Sequence, residues 1–294
     1  MRFNHIKFVL HGEKSMKKKI ITIAIIGIFL LTSFTTLPVV GIKIISQDKA
    51  ISENILSANT YDSRGPIEIY GNDDFTEENG VRNPEADGTE NDPYIISGWR
   101  LPYILVHFTT TYFTISNCYI EDCGGPCYSG IELKEVKNGT IEKCSMSNLY
   151  LYQTLRENGI TLKNTQNINI KDCNIFAHFF GIECFDSNNN KIRHCDIYGP
   201  AYGLFWFNAN YNEIYQCKIG GFISSGVCGV NLDRCNNNII HHCIISKTIA
   251  GVNLLDSNGN IFHHNNIFDN YRYNAVVENG ENQWDDGIRT NTET

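Results

Sequence analysis

The chain has 294 residues, 42% hydrophobic and 19% charged, enough apolar content for a sizeable core and too much for a disordered tail. Seven prolines and three methionines set against abundant asparagine disfavour a Pro-rich stalk or a helical bundle and favour strands and turns. The net charge is −8 although the first 49 residues carry a cationic excess, so the rest is strongly acidic; DNA and RNA binding, which depends on Lys and Arg neutralising phosphates, is excluded as an expectation.

Met16 precedes Lys17, Lys18 and Lys19, and no further charge occurs from Ile20 to Ile42. A basic segment followed by the apolar run Ile20 to Leu31 is the pattern of an export signal, and the uncharged stretch is long enough to cross a bilayer core. Thr32, Ser33, Thr35, Thr36 and Pro38 dilute its second half, and no A-x-A cleavage site stands out. Residues 1–42 therefore read as a signal peptide or a retained anchor helix, with Met16 as an alternative start. Both readings place the remainder outside the cell, secreted or on its surface, with residues 20–42 as the only membrane contact if uncleaved. Residues 43–62 are polar and aperiodic, a linker.

From residue 106 one phrase returns at a spacing near 22: a glycine and an aliphatic residue, about ten further residues, then Ile-x-x-Cys-x-Ile. Examples are Gly159-Ile160 with Ile170, Cys173 and Ile175, and Gly181-Ile182 with Ile192, Cys195 and Ile197. The series opens at Ile115, Cys118 and Ile120, reaches Gly251-Val252, where Asn265 replaces the cysteine, and closes at Ala275-Val276 with Trp284. Each phrase holds short alternating segments and no helical spacing. An identical phrase repeated in one direction is what a coil winding on itself requires, so the expected fold is all-β, a single-stranded parallel β-helix of about seven to eight turns. Asn190, Asn212, Asn238 and Asn260 recur at one position and should form a corner ladder, favoured by asparagine's tolerance of left-handed backbone and by bonds between stacked amides. Residues 63–105 read as an N-terminal cap with the first turn, 106–287 as the repeats, and 288–294 as a tail.

The Asn-x-Ile-x-x-Cys-x-Ile repeat, the entry Gly88-Thr89-Glu90-Asn91-Asp92-Pro93-Tyr94-Ile95-Ile96 and the exit Asn282-Gln283-Trp284-Asp285-Asp286-Gly287 resemble right-handed parallel β-helix proteins of the pectate-lyase-like superfamily, and within it the NosD-like repeat proteins. The resemblance covers roughly three quarters of the chain. It implies the handedness of the coil and says little about activity, because such folds serve lyases, epimerases, hydrolases, binding modules and a copper-enzyme maturation factor.

Eleven cysteines in an exported chain invite disulfides. Six of them, Cys118, Cys144, Cys173, Cys195, Cys217 and Cys243, share one repeat position, and in-register neighbours have parallel Cα–Cβ vectors, poor geometry for a bond needing a dihedral near 90°. Free thiols packing as small apolar groups are expected there. Cys123 and Cys127 lie outside the stack and could pair with each other or with Cys228.

Connections between phrases lengthen after Ile120, Met146 and Ile219, and insertions at one corner of a solenoid often wall a binding face. Between the last two lie Glu183, Phe185, Phe205 and Phe207 at outward positions, with Tyr202 beside them. Aromatic faces flanked by carboxylates suit sugar rings; the rival reading is an aromatic ladder covered by the same loops. Glu183, Asp186, Glu157 and Arg156 are the catalytic candidates nearest this face, without a fixed motif. His241-His242 and His263-His264 lie 22 residues apart and so stack, a set that could hold copper or zinc or could be a surface polar ladder. The acidic stretch Asp73 to Asp92 leaves calcium open. Asn138-Gly139-Thr140 is a glycosylation sequon on a turn. The expected function is binding of polysaccharide or cell-envelope glycan by an exported monomer without catalysis. The alternatives are a polysaccharide lyase or glycoside hydrolase, a copper-handling protein and a purely structural rod.

Overall fold

In a computed structural model, residues 61–121, 129–147, 158–177, 179–221 and 227–285 are described. Residues 1–42, read above as an export signal or anchor, most of the expected linker and the tail lie outside them, as do Cys123, Cys127, Arg156 and Glu157. The described residues form a solenoid of three parallel sheets, each of nine strands. One turn illustrates the unit: Phe180–Phe185 lies in the first sheet, Lys191–Arg193 in the second and Asp196–Tyr198 in the third. Each strand pairs with its equivalents one turn before and after, as in Ile182 with Leu204, Ile192 with Ile214 and Ile197 with Ile219. Seven uninterrupted turns run from Ile104–Thr109 to Asn266–Phe268, in agreement with the count of repeats.

The phrase works because each of its apolar residues points inward. Ile160, Ile182, Leu204, Val230 and Val252 line the first sheet's inner face, and Ile170, Ile192, Ile214 and Ile240 the second's, all essentially without solvent contact. The six phrase cysteines form one buried column, and all nine described cysteines are free. Burial raises the thiols of Cys228 and Cys235 to about 12, so they remain protonated fillers. Glycine precedes the first inward residue because the turns meet closely there: a Cβ on Gly203 would lie 2.6 Å from Ile219 Cγ2 and 2.8 Å from the Gly229 carbonyl oxygen.

The turn from Phe180 to Tyr198 bends at three residues with positive φ, Asp186, Asn189 and His194, and most other turns bend at the equivalent places. The position shared by Glu135, Asn164, Asp186, Asn208, Arg234 and Asp256 is one of these bends, which explains its preference for Asn and Asp. The buried asparagine ladder forms as expected and its stacked amides bond one another, as Asn212 Nδ2 does to Asn238 Oδ1 at 3.1 Å, but it does not supply the left-handed bend. The left-handed residue is the preceding one (Asn189, Tyr211, Asn237), while Asn190, Asn212, Asn238 and Asn260 face inward and cap buried backbone. Asn212 Oδ1 accepts the Asn190 N–H at 2.8 Å, Asn238 Oδ1 that of Asn212 at 2.9 Å, and Asn260 Oδ1 that of Asn238 at 3.0 Å.

At the amino-terminal end, Asp62–Ser63 and Ile67–Tyr70 already pair within the solenoid, with Trp99–Leu101 and Ile104–Thr109. The acidic segment between Tyr70 and Tyr94 leaves the coil, forms the short 3-10 helix Asn72–Asp74 and returns to cover the open edge of Tyr94–Ser97. Arg82 N–H donates to the Ile95 carbonyl at 2.7 Å, and Phe75 stacks on Tyr94 at 4.6 Å. Its carboxylates serve backbone turns: Asp74 accepts from Tyr70 N–H, Asp87 from Thr89 N–H and Asp92 from Asp87 N–H. No helix among the described residues is long and apolar enough to cross a membrane.

Candidate functional site

Alternation along the strands of the first sheet sends every second side chain outward. Register places Phe180 beside Tyr202, Glu183 beside Phe205 and Phe185 beside Phe207. The five residues expected on this face, Glu183, Phe185, Phe205, Phe207 and Tyr202, are thus together on it, each half-buried. Phe180, which the sequence did not single out, completes the group: its ring stacks on Phe205 at 4.8 Å and 10° and meets Tyr202 edge-on at 5.5 Å. Arg234 lies over the Phe207 ring at 4.2 Å. The segments 148–157 and 222–226, which join the third sheet to the first beside these strands, fall outside the described residues.

The same face continues toward the amino terminus as a polar group. The column through Glu183 contains Thr161 and Glu132 on the two preceding turns, and the next column contains Lys163, Lys134 and His107. Glu132 is enclosed: His107 Nε2 lies 3.0 Å from one carboxylate oxygen and Lys163 Nζ 3.1 Å from the other. Contact with the imidazole, helped by the ammonium and opposed by burial, holds the Glu132 carboxyl at about 2. Glu183 moves in the opposite direction. Burial raises its pKa, outweighing the nearby Lys163 charge and the hydrogen bonds donated by Asn158 Nδ2 at 2.9 Å and Thr161 Oγ1 at 3.3 Å. Thr161 in turn contacts Ser129 Oγ at 2.7 Å, so a hydrogen-bonded chain of short side chains lies between the two acids. Two turns separate them, about 9.6 Å at the usual strand spacing.

Glu132, Lys163 and His107 do not stand out in the sequence because each lies on a different turn, where a lone charged residue on a strand looks solvated. The signal was available: aligning Gly130-Ile131, Gly159-Ile160 and Gly181-Ile182 puts Glu132, Thr161 and Glu183 in one column. Asp186 is not part of this group. It is a bend residue at φ 49, exposed, with Oδ1 accepting from Asn208 Nδ2.

A family model described as the right handed beta helix region matches residues 41–219 and 156–291. The chain belongs to that family. Among solved structures similar to this β-helix is a double mutant of the periplasmic alginate epimerase AlgG, 14% identical over 73% of this chain and 68% of that one, with a TM-score of 0.47. The Dettilon tailspike protein is 14% identical over 63% of this chain and 40% of that one, with a TM-score of 0.40. The A-module of mannuronan C-5 epimerase AlgE4 from Azotobacter vinelandii is 12% identical over 78% of this chain and 75% of that one, with a TM-score of 0.23. These are distant likenesses of fold. Comparison with curated protein sequences gives no match.

Elsewhere on the β-helix, His241 and His263 lie on adjacent strands of the second sheet, and His242 and His264 at the bend that follows. This is a different face from the aromatic one. Asn138 occupies a bend at φ 61, half-buried, with Nδ2 donating to the Thr110 carbonyl at 3.0 Å. It lines a concavity of about 430 Å³ with Tyr112, Thr140 and Asn167, remote from the carboxylate pair and with Glu90 as its one charged lining residue.

Proposed function

We propose that the outer face of the first sheet binds an extended polysaccharide. The observation that carries this reading is the aromatic group Phe180, Tyr202, Phe205, Phe185 and Phe207, laid across two adjacent turns and bordered by Glu183, Lys163 and Glu132. A sugar ring presents an apolar C–H face to an aromatic ring and hydroxyls to carboxylates and amides, and this surface offers both side by side. Export is part of the proposal, supported by the Lys17–Lys19 run and the uncharged segment after it; the ligand would be an envelope or extracellular glycan met by a single chain. Glycan-array binding, followed by affinity measurement on the best ligand, tests it. Phe207→Ala and Phe205→Ala should weaken binding at least tenfold with an unchanged far-UV spectrum; unchanged affinity in both removes the proposal.

A second reading is favoured by the carboxylates. Glu132 is stabilised as an anion and Glu183 is pushed toward its protonated form, the division of labour that acid–base cleavage of a glycosidic bond needs. Their two-turn separation is close to the roughly 6.5–9.5 Å of inverting hydrolases. Incubation with neutral and uronic-acid glycans distinguishes the two: new reducing or unsaturated ends that disappear in Glu183→Gln support catalysis, and binding without product supports recognition alone.

A further inference from the structure

The second sheet ends in a set of imidazoles that the glycan reading does not use. His241 and His263 are stacked with ring centroids 4.7 Å apart and planes within 5°, and His242 and His264 are stacked at 4.9 Å and 8°. Within each turn the two rings are nearly perpendicular and point nitrogen at nitrogen: Nδ1 to Nδ1 is 2.8 Å in the His241–His242 pair and 2.9 Å in the His263–His264 pair. Asp285 Oδ2 lies 3.4 Å from His264 Nδ1. Two sets of three ligand atoms, one from His241, His242 and His263 and the other from His263, His264 and Asp285, each lie within a 4.8 Å span.

We propose that this cluster, centred on His263, binds one divalent transition-metal ion, with copper(II) as the preferred ion. Three observations support the assignment. Imidazole nitrogen is a ligand for copper, nickel and zinc, and the absence of a thiolate in the cluster removes the softer ligand type. In each Nδ1–Nδ1 hydrogen bond one nitrogen carries the shared proton; an ion taking that proton's place, with bonds of about 2.0 Å to nitrogens about 2.8 Å apart, would see them at a right angle, the angle of a tetragonal site, whereas a tetrahedral ion needs about 3.3 Å. Glu213 Oε1 stands 3.3 Å from His241 Nε2, so the proton of that ring belongs on Nε2 and the lone pair on Nδ1, facing its neighbour.

The 4.8 Å spread exceeds the roughly 4 Å across a bound ion, and the exposed rings of His242 and His264 can rotate to close that gap. The ion would tie the last two full turns to Asp285, just after the closing strand Gln283–Trp284, where one edge of the second sheet is left.

His194 supplies the internal control. It sits at the same bend as His242 two turns earlier, with Gln216 rather than histidine above it and an arginine beside it in sequence. Copper(II) is titrated into the full chain against a weak competing chelator, by calorimetry and electron paramagnetic resonance. The expected result is one ion per chain, a tetragonal spectrum with coupling to at least two nitrogens, and a rise in melting temperature. His263→Ala with His264→Ala should weaken binding at least 100-fold, and His194→Ala should leave it unchanged. A second pair, His242→Ala with His264→Ala, alters only exposed rings and keeps the test valid should loss of His263 disturb folding; it should weaken binding at least tenfold. The proposal is overturned by wild-type affinity in either pair, by an equal loss in His194→Ala, or by a spectrum without nitrogen coupling.

Discussion

Asn238 tests whether the buried amide column holds the rod together. Its side chain is fully buried. Oδ1 accepts from the Asn212 backbone N–H at 2.9 Å and from Asn212 Nδ2 at 3.1 Å, while Nδ2 donates to the Ala209 carbonyl and to Asn260 Oδ1, both at 2.9 Å. Asn238→Ala removes all four bonds, but the losses are unequal. Asn212 Nδ2 keeps the Ser187 carbonyl at 3.1 Å, and Asn260 Oδ1 keeps the Asn238 N–H at 3.0 Å. The Asn212 N–H and the Ala209 carbonyl lose their side-chain partner in a dry interior, at about 1–3 kcal/mol each, so the expected destabilisation is about 3–4 kcal/mol before any cavity term. Asn208→Ala provides the contrast: its amide meets Asp186 in solvent, and its loss together with alanine at a φ of 51° should cost about 1–2 kcal/mol. Urea unfolding, followed by far-UV circular dichroism and by fluorescence of the buried Trp206 one turn away, measures both. A loss below about 1 kcal/mol at Asn238, or equal losses at the two sites, refutes the claim that the column satisfies buried backbone.

Three further outcomes are expected. Gly203→Ala should destabilise by about 1–3 kcal/mol because its Cβ would overlap Ile219 and the Gly229 carbonyl, while Gly65→Ala, with nothing within 4 Å, should be near neutral in the same denaturation assay. The two acids should give opposite pH signatures in melting temperature. Glu132 is held at about 2 when folded, below its unfolded value near 4.3, so its stabilisation is present above the unfolded value and disappears as pH falls through about 2. Glu132→Gln therefore lowers the melting temperature at pH 7 and converges with wild type near pH 2. The Glu183 pKa is raised, so its contribution is present below the unfolded value and lost as pH rises through the folded one; Glu183→Gln should melt higher than wild type at pH 7 and equal to it at pH 3. Finally, the six stacked thiols should resist a disulfide-exchange reagent in the native state and react fully in guanidinium, and rapid native labelling of Cys195 would contradict its burial.

The repeats were legible because a solenoid writes one turn's inside–outside pattern over and over, and Gly-Ile, Ile-x-x-Cys and Asn each occupy a place where only small, apolar or amide groups fit. The opening turn was read within residues 63–105 but not strand by strand, because the excursion between Tyr70 and Tyr94 breaks the period and this turn lacks the cysteine that marks the others. The asparagine ladder and its amide-to-amide bonds were legible, but not the whole of its role: the φ values assign the left-handed bend to its predecessor and leave Asn238 and its equivalents to cap N–H groups as well. On the candidate face, aromatic residues stood out by type, but Glu132 and Lys163 did not, since a lone acid or lysine on a strand looks solvated until the neighbouring turns are laid beside it.

That last point bears on where chemistry can arise in such a fold. The inner face is committed to packing and the bends to positive φ, so the outward positions of the strands are the ones free to vary, and their neighbours are fixed by register rather than by proximity in sequence. A group of five aromatic rings on two turns and an acid pair across two more is therefore informative in a way that the same residues scattered on loops would not be. Neither packing nor bending requires Phe180 to lie on Phe205, or Glu183 to be buried where Asn158 and Thr161 must compensate it. Glutamine at position 183 would satisfy the same hydrogen bonds without the burial penalty of a charge. A carboxyl retained against that penalty, beside surface aromatics, is what supports the proposal of a ligand-binding face here.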